Sequence, residues 1–293
     1  TDEIVCISKV THGVVKEVAP DVSARYLPHA VNSKVFYPYT QPEEVQSVAH
    51  VRNNILLSGQ RYPNPDKKIF FWNNRNARRK QSGTLIWWFK ELLDKVGHDK
   101  ATLLMHTDAR DPHGQDLPHL IEHLGVGDGQ VLLSTQKVGP EHLAAMYNAA
   151  DFTLNISDAE GFGLSTLESL SCGTPVIVNM TGGLQEQVTN GKHWFGWGIK
   201  PVSKSVIGSL QVPYIYEDRI SQDDFNRVMK MALRVNDKKY KEMSRRGIKH
   251  IKENYSFEKF QSNWVELMDE IVAKHGSWDT RKLYKRWHLK EVA

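Results

Sequence analysis

The run from Asp158 to Val178, DAEGFGLSTLESLSCGTPVIV, decides how the rest of the chain is read. Glu160 and Glu168 bracket a Gly-aromatic-Gly turn at Gly161, Phe162 and Gly163. Leu164, Leu167 and Leu170 follow at helical spacing and predict a short helix ending at Gly173, a residue that accepts positive φ. Thr174 and Pro175 launch the apolar strand PVIV, and FTLNI (Phe152 to Ile156) supplies a strand before the loop. Strand, glycine loop, helix and strand make a βαβ unit, the building block of a parallel sheet. Glycines ahead of a helix leave its first N–H groups without intrahelical partners, and the helix dipole adds partial positive charge there. Such a mouth suits an anion or a ring of hydroxyls. An ordinary surface helix also carries glutamates near its start, and spacing alone does not separate the two readings.

Outward from this unit, apolar runs of strand length recur. IFFW (Ile69 to Trp72), TLLMH (Thr102 to His106) and VLLS (Val131 to Ser134) alternate with helical segments from Thr84 to Val96 and from Pro140 onward. This order predicts an α/β fold with a doubly wound parallel sheet, in which ligands bind outside the carboxyl ends of the strands. The basic loop NNRNARRKQ falls directly after IFFW, at that edge. It reads three ways: as a solvated charge run, as a nucleic-acid patch in which Arg75, Arg78, Arg79 and Lys80 track phosphates, or as a ligand-binding loop at the carboxyl edge of the sheet. Position favours the third.

The 293 residues, 40% of them hydrophobic, suffice for one large α/β domain or one and a half smaller ones. A net charge of +4 with both signs interspersed does not by itself mark a nucleic-acid binder. The longest apolar runs, such as LIWWF (Leu85 to Phe89), are too short to cross a bilayer. Cys6 and Cys172 are far apart in sequence and point to buried thiols in a reducing, cytoplasmic setting. The loop HTDARDPHG holds His106, Asp108, Asp111 and His113, a mix with metal-ligating chemistry, although aspartates before Pro-His-Gly more commonly make turns. His119 and His123 are spaced i, i+4, but Leu120 stands where a zinc-protease helix needs Glu, so no metal site is expected.

Between Lys192 and Ile220 lie Trp194, Phe195, Trp197 and the tyrosines of VPYIYEDRI. Aromatics this dense either stack a sugar or base or cement a long loop onto the domain, the commoner case. Ser221 to Asp224 opens a helix to Leu233. Phe257, Phe260, Trp264, Leu267, Met268 and Ile271 then form one stripe of an amphipathic helix ending at Gly276, and a basic aromatic tail follows.

EGFGLSTLESLSCGTPVIV resembles the signature of the GT-B glycosyltransferases of family 4, in which two glutamates flank seven residues ahead of a small-Gly-Thr-Pro-Val run. The resemblance extends in register from about Pro28 to Val188. It implies a Rossmann-like C-terminal domain of the GT-B fold over residues 33–275, which binds a UDP- or GDP-linked sugar. Residues 1–32 would be the end of a second Rossmann-like domain whose remainder carries the acceptor side. The tail, 276–293, would recross to that domain. Glu160 and the amides of Phe162, Gly163 and Leu164, beside Gly161, would face sugar and diphosphate, and Glu168 would hold the ribose. Arg75 and Lys80 match the family's diphosphate-binding Arg and Lys, with Asn74 where Gly is usual. The loop from Gln136 to Gly139, with Val138, would lie near the nucleobase, and Gly182 and Gly183 match a Gly-Gly-x-x-Glu turn.

The implied reaction is sugar transfer with retention of anomeric configuration and no cofactor. The acceptor stays open among polysaccharide, lipid, protein and modified nucleic acid, with peripheral membrane contact compatible with the basic tail. A nucleotide-sugar epimerase or phosphorylase on the same fold, and a nucleic-acid or polyanion binder, are the alternatives.

Overall fold

The computed structural model describes residues 2–57, 59–277 and 279–282. Its first unit is β1 (Ile4–Cys6), α1 (Lys9–Val18) and β2 (Ala24–Tyr26), with β1 and β2 paired in parallel. Ser8 leaves the strand to become the N-cap of α1, its hydroxyl accepting from the Thr11 N–H at 3.2 Å. A linker then runs past the buried Val31 and Phe36 to α2 (Pro42–Leu57).

The main sheet alternates with helices: β3 (Lys68–Asn73), α3 (Ser82–Val96), β4 (Ala101–His106), α4 (Leu117–Leu124), β5 (Val131–Ser134), α5 (Pro140–Ala149), β6 (Phe152–Asn155), α6 (Leu164–Ser171), β7 (Val176–Asn179), α7 (Leu184–Val188) and β8 (Gly196–Ile199). The six strands pair in parallel in the order β5-β4-β3-β6-β7-β8. Order reverses between β3 and β6, so a crevice opens there at the carboxyl ends. This is the expected doubly wound α/β sheet.

IFFW is continuously apolar because both faces of β3 are covered. Phe70 and Trp72 point to the side of α3, α4 and α8 (Gln222–Leu233), whereas Ile69 and Phe71 point to the side of α5 and α6. All four side chains are fully buried. At roughly 1.5–3 kcal/mol for each fully buried large apolar side chain, this strand is the main anchor of the sheet. The end of α6 follows the sequence reading. Cys172 caps it, Gly173 takes φ +81°, and the Thr174 hydroxyl donates to the Tyr147 carbonyl at 2.7 Å.

Three elements differ from the sequence reading or were not anticipated. The segment after β8 is a hairpin, β9 (Ser203–Ile207) paired antiparallel with β10 (Ile215–Arg219), rather than a plain loop. Helix α9 (Asp237–Asn254) escapes apolar periodicity because it is dominated by charge, burying only Met243, Gly247, His250 and Ile251. In α10 (Phe257–His275) the expected stripe is divided: Leu267 is buried, Phe260, Trp264 and Ile271 are half-buried, and Phe257 and Met268 are exposed. Glu270 of α10 pairs with Arg25 of β2, and Arg281 pairs with Asp2, so the chain returns to its first unit. Most of the tail expectation, 283–293, lies outside the described residues. Among the described residues, no helix is long and apolar enough to cross a membrane.

Candidate functional site

Three loops meet at the switch point, after β3, β6 and β7. The β3 loop runs through a 3₁₀ turn, Arg78–Lys80, to Gln81, which has φ +56° and starts α3. Among the described residues, Gln81 is the one non-glycine at positive φ, a strained conformation of the sort held in place at functional sites. Its side chain donates to Asp158, and the Asp158 N–H donates to the Arg79 carbonyl at 2.8 Å, so the β3 and β6 loops are stitched together.

Lys80, almost fully buried, pairs with Glu160. Arg79 stands 3.8 Å from the same carboxylate and donates to the Ala159 carbonyl at 2.6 Å. Asn155 approaches Glu160 at 3.4 Å. Burial pulls the Lys80 ammonium down from its ordinary pKa, against the opposing effect of Glu160.

Gly161, Phe162 and Gly163 carry the chain from Glu160 into α6. Gly163 is the N-cap at φ +96° and has no side chain to bond the first turn, so the helix mouth faces the crevice with its N–H groups free for a ligand. Phe162 is buried and meets His29 of the linker edge-on at 5.3 Å, and Leu164 is half exposed at the start of the helix.

The Gly182-Gly183 turn supports this loop from behind. A Cβ on Gly182 would lie 1.6 Å from the Glu160 carbonyl oxygen, and one on Gly183 would lie 2.7 Å from the Phe162 Cα. The two backbones approach so closely that only glycine fits. Gln187, one turn on, donates to the Phe162 carbonyl at 2.8 Å. Glu186 in this turn reaches the first unit instead, accepting from the Lys9 N–H at 3.0 Å and the Tyr26 hydroxyl at 3.1 Å.

Glu168 lies along α6 toward the other side of the crevice. The fully buried Tyr147 donates its hydroxyl to Glu168 at 2.8 Å and accepts from the Asn73 amide at 2.9 Å. Burial raises the Glu168 carboxyl above its usual range while the Tyr147 bond opposes the rise. Val138 is half-buried in the loop after β5, on the far side of the same carboxyl edge.

Arg75 lies apart from the Lys80–Glu160 pair. Its guanidinium donates to Asp111 at 2.6 and 3.2 Å and lies 2.8 Å from the His113 ring nitrogen. These contacts hold the Asp111 carboxyl well below the usual range. Asp111 is thereby an ion-pair partner, and no group of three metal-ligating side chains occurs among the described residues. Arg79, four residues on, stands beside Glu160.

Sequence reading missed the contribution of the hairpin. Glu217, fully buried, accepts from Arg78 at 2.7 and 2.9 Å and from Arg219 at 3.3 Å. Arg219 also pairs with the buried Asp158 at 2.6 Å. Thr181 donates to Asp218 at 2.7 Å. The strand-length run YIYEDRI, a short turn after SKSVI, was the available signal for a hairpin. A cavity of about 640 Å³ opens between Val10, Arg79, Glu160, Gly182, Lys204 and Asp218.

The aromatic segment before the hairpin splits by role. Phe195 is buried and stacks on His250 at 4.5 Å, and Trp197 packs on Phe152 at 5.4 Å. Both cement the fold.

Comparison with known proteins agrees with this architecture. The chain is 33% identical over 128 residues to a D-inositol 3-phosphate glycosyltransferase of Corynebacterium jeikeium, a match covering 43% of this chain and 30% of that one. The chain thus spans about a third of the length of that curated relative. In structure it is similar to sucrose-phosphate synthase from Thermosynechococcus elongatus, with a TM-score of 0.71 and 21% identity over 94% of this chain and 59% of that one. It is similar also to Anabaena HepE in complex with UDP-glucose, with a TM-score of 0.68 and 13% identity over 92% and 64% of the two chains. These likenesses concern the fold. The family model described as Glycosyl transferases group 1 matches residues 58–250, more than half of the chain, and the protein belongs to that family.

Proposed function

We propose that this chain carries the donor half of a retaining glycosyltransferase of family 4, taking a nucleoside-diphosphate sugar and transferring its sugar to an acceptor hydroxyl. The observation that carries the reading is the pairing of Lys80 with Glu160 at the mouth of α6, at the switch point of the sheet. In the transfer, the acceptor oxygen bonds to the anomeric carbon as the bond from that carbon to the diphosphate breaks. The acceptor's proton leaves to a departing phosphate oxygen. Negative charge grows on the diphosphate, and Lys80, Arg79 and the α6 amides are the groups that stabilise it. This positive charge comes from the protein, so the reading requires no protein-bound metal.

Glu160 orients sugar hydroxyls once phosphate competes for Lys80. Glu168, held by Tyr147, accepts from the ribose diol. Attack on the leaving-group face, hence retention, follows from the family resemblance. The UDP-glucose bound by Anabaena HepE supports a uridine diphosphate donor. The nucleic-acid reading loses its main support because Arg75, Arg78 and Lys80 each engage a carboxylate: Asp111, Glu217 and Glu160.

The test is thermal unfolding with UDP, GDP, ADP and UDP-glucose, in EDTA, for the wild type and Glu168→Ala. A ligand at about 100 times its Kd adds about 2.7 kcal/mol to the folded state. One nucleoside diphosphate should raise Tm, and the variant should need about tenfold more ligand for the same rise. Absence of a shift with every nucleotide at millimolar concentration refutes the donor site.

A further inference from the structure

The β9–β10 hairpin has two faces, set by its register. Glu217↔Ser205 and Arg219↔Ser203 face the domain, where Glu217 and Arg219 bind Arg78 and Asp158. Asp218↔Lys204 and Tyr216↔Val206 lie on the opposite face, because side chains alternate along a strand. Lys204 and Asp218 line the cavity beside Glu160. Two residues outward, Tyr216 and Val206 are each 64% exposed, and Tyr214 follows at 62% with its ring 6.0 Å from that of Tyr216. One strip therefore runs from the cavity to open solvent: a cation and a carboxylate first, then two tyrosine rings set edge to face at 71°. The buried ion pairs on the other face hold this strip at a fixed place above the crevice.

The charges identify the kind of occupant. Apart from Arg79 and Glu160, which serve the donor, the ionisable groups that the hairpin brings to the cavity are Lys204 and Asp218, one of each sign. A polyphosphate, a nucleic acid or an anionic membrane surface needs a positive excess. A neutral, hydroxyl-rich chain needs what is here: donors and acceptors of both signs, and aromatic faces that pack against the apolar faces of its rings.

We propose that the strip Lys204–Asp218, Val206–Tyr216 and Tyr214 is an acceptor subsite for a neutral saccharide chain. The end of the saccharide to be extended enters the cavity beside Glu160, and the preceding sugars stack along Tyr216 and Tyr214. The inference rests on the donor site proposed above, and the two fail separately.

The experiment presents the whole chain to immobilised hexasaccharides, neutral (gluco-, manno- and xylo-oligosaccharides) and acidic (uronic, sulfated and phosphorylated). Tyr214→Ser/Tyr216→Ser is run beside the wild type, with thermal unfolding to verify folding and UDP stabilisation measured in parallel. The expected result is binding to at least one neutral series, weakened about tenfold or more in the double variant. Preferential capture of acidic glycans, capture of no glycan, or equal capture by both proteins overturns the subsite. So does concentration-dependent dimerisation that the double variant abolishes, because the strip would then be covered by a second copy. Loss of the glycan result with UDP stabilisation intact condemns the subsite alone. Absence of UDP stabilisation in the wild type condemns the donor site.

Discussion

Replacing Arg219 by Gln removes a cation held between two buried carboxylates, and its cost should depend on pH in a defined direction. Arg219 pairs with Asp158 at 2.6 Å and Glu217 at 3.3 Å, and donates to the Ser205 hydroxyl at 2.6 Å. Burial pushes the Asp158 carboxyl up to about 6, while Gln81 and Arg219 restrain the rise. A carboxyl raised in the folded state favours folding below its unfolded pKa, near 3.8, and that contribution is lost as pH rises through about 6. At pH 8 Asp158 is ionised and relies on Arg219, whereas at pH 5 it is mostly neutral and does not.

Breaking a buried pair costs about 3–5 kcal/mol. Arg219 retains 31% side-chain exposure, and Glu217 keeps Arg78, so the loss at pH 8 is discounted to about 2–3 kcal/mol. At pH 5 only the Glu217 and Ser205 contacts are lost, about 1 kcal/mol. Thermal unfolding at the two pH values should therefore give a Tm deficit of about 5 °C or more at pH 8 and about 2–3 °C at pH 5. An equal deficit at both, or a larger one at pH 5, refutes the account of Asp158 as a buried acid held ionised by Arg219.

Tyr147→Phe removes the hydroxyl that donates to Glu168, whose carboxyl burial already raises. It should rise further, so UDP affinity falls about tenfold, more at pH 5.5 than at pH 8, as isothermal titration would measure. Gly182→Ala places a Cβ 1.6 Å from the Glu160 carbonyl oxygen at φ +48°, and should cost about 2–4 kcal/mol in urea unfolding with loss of nucleotide stabilisation. Gly127→Ala, whose Cβ meets only the Ile121 side chain at 3.5 Å, should stay within about 1 kcal/mol of the wild type.

Local sequence determined the parallel α/β unit, the two-sided burial of IFFW, the end of α6 at Gly173 and the adjacency of Lys80 to the crevice. These depend on periodicity, glycine conformation and position after a strand, all readable within some twenty residues. Tertiary structure alone decided which basic side chain meets which acid. Arg75 and Arg79 sit in one short loop, and no propensity distinguishes them. Arg75 turns away because Asp111, 36 positions on, neutralises it, whereas Arg79 turns inward to the β6 loop.

The hairpin was hidden for the same reason. Glu217 is acceptable inside the protein only because Arg78, 139 positions earlier, meets it, and burial of a carboxylate cannot be read without its partner. The Gly182-Gly183 turn was legible as a Gly-Gly-x-x-Glu pattern, but the reason for its glycines was not. It needs glycine because a backbone more than twenty residues away in sequence lies against it. Periodicity carries the fold because burial repeats along each element. The direction of a charged side chain depends on one distant counter-charge, and only the folded chain brings the two together.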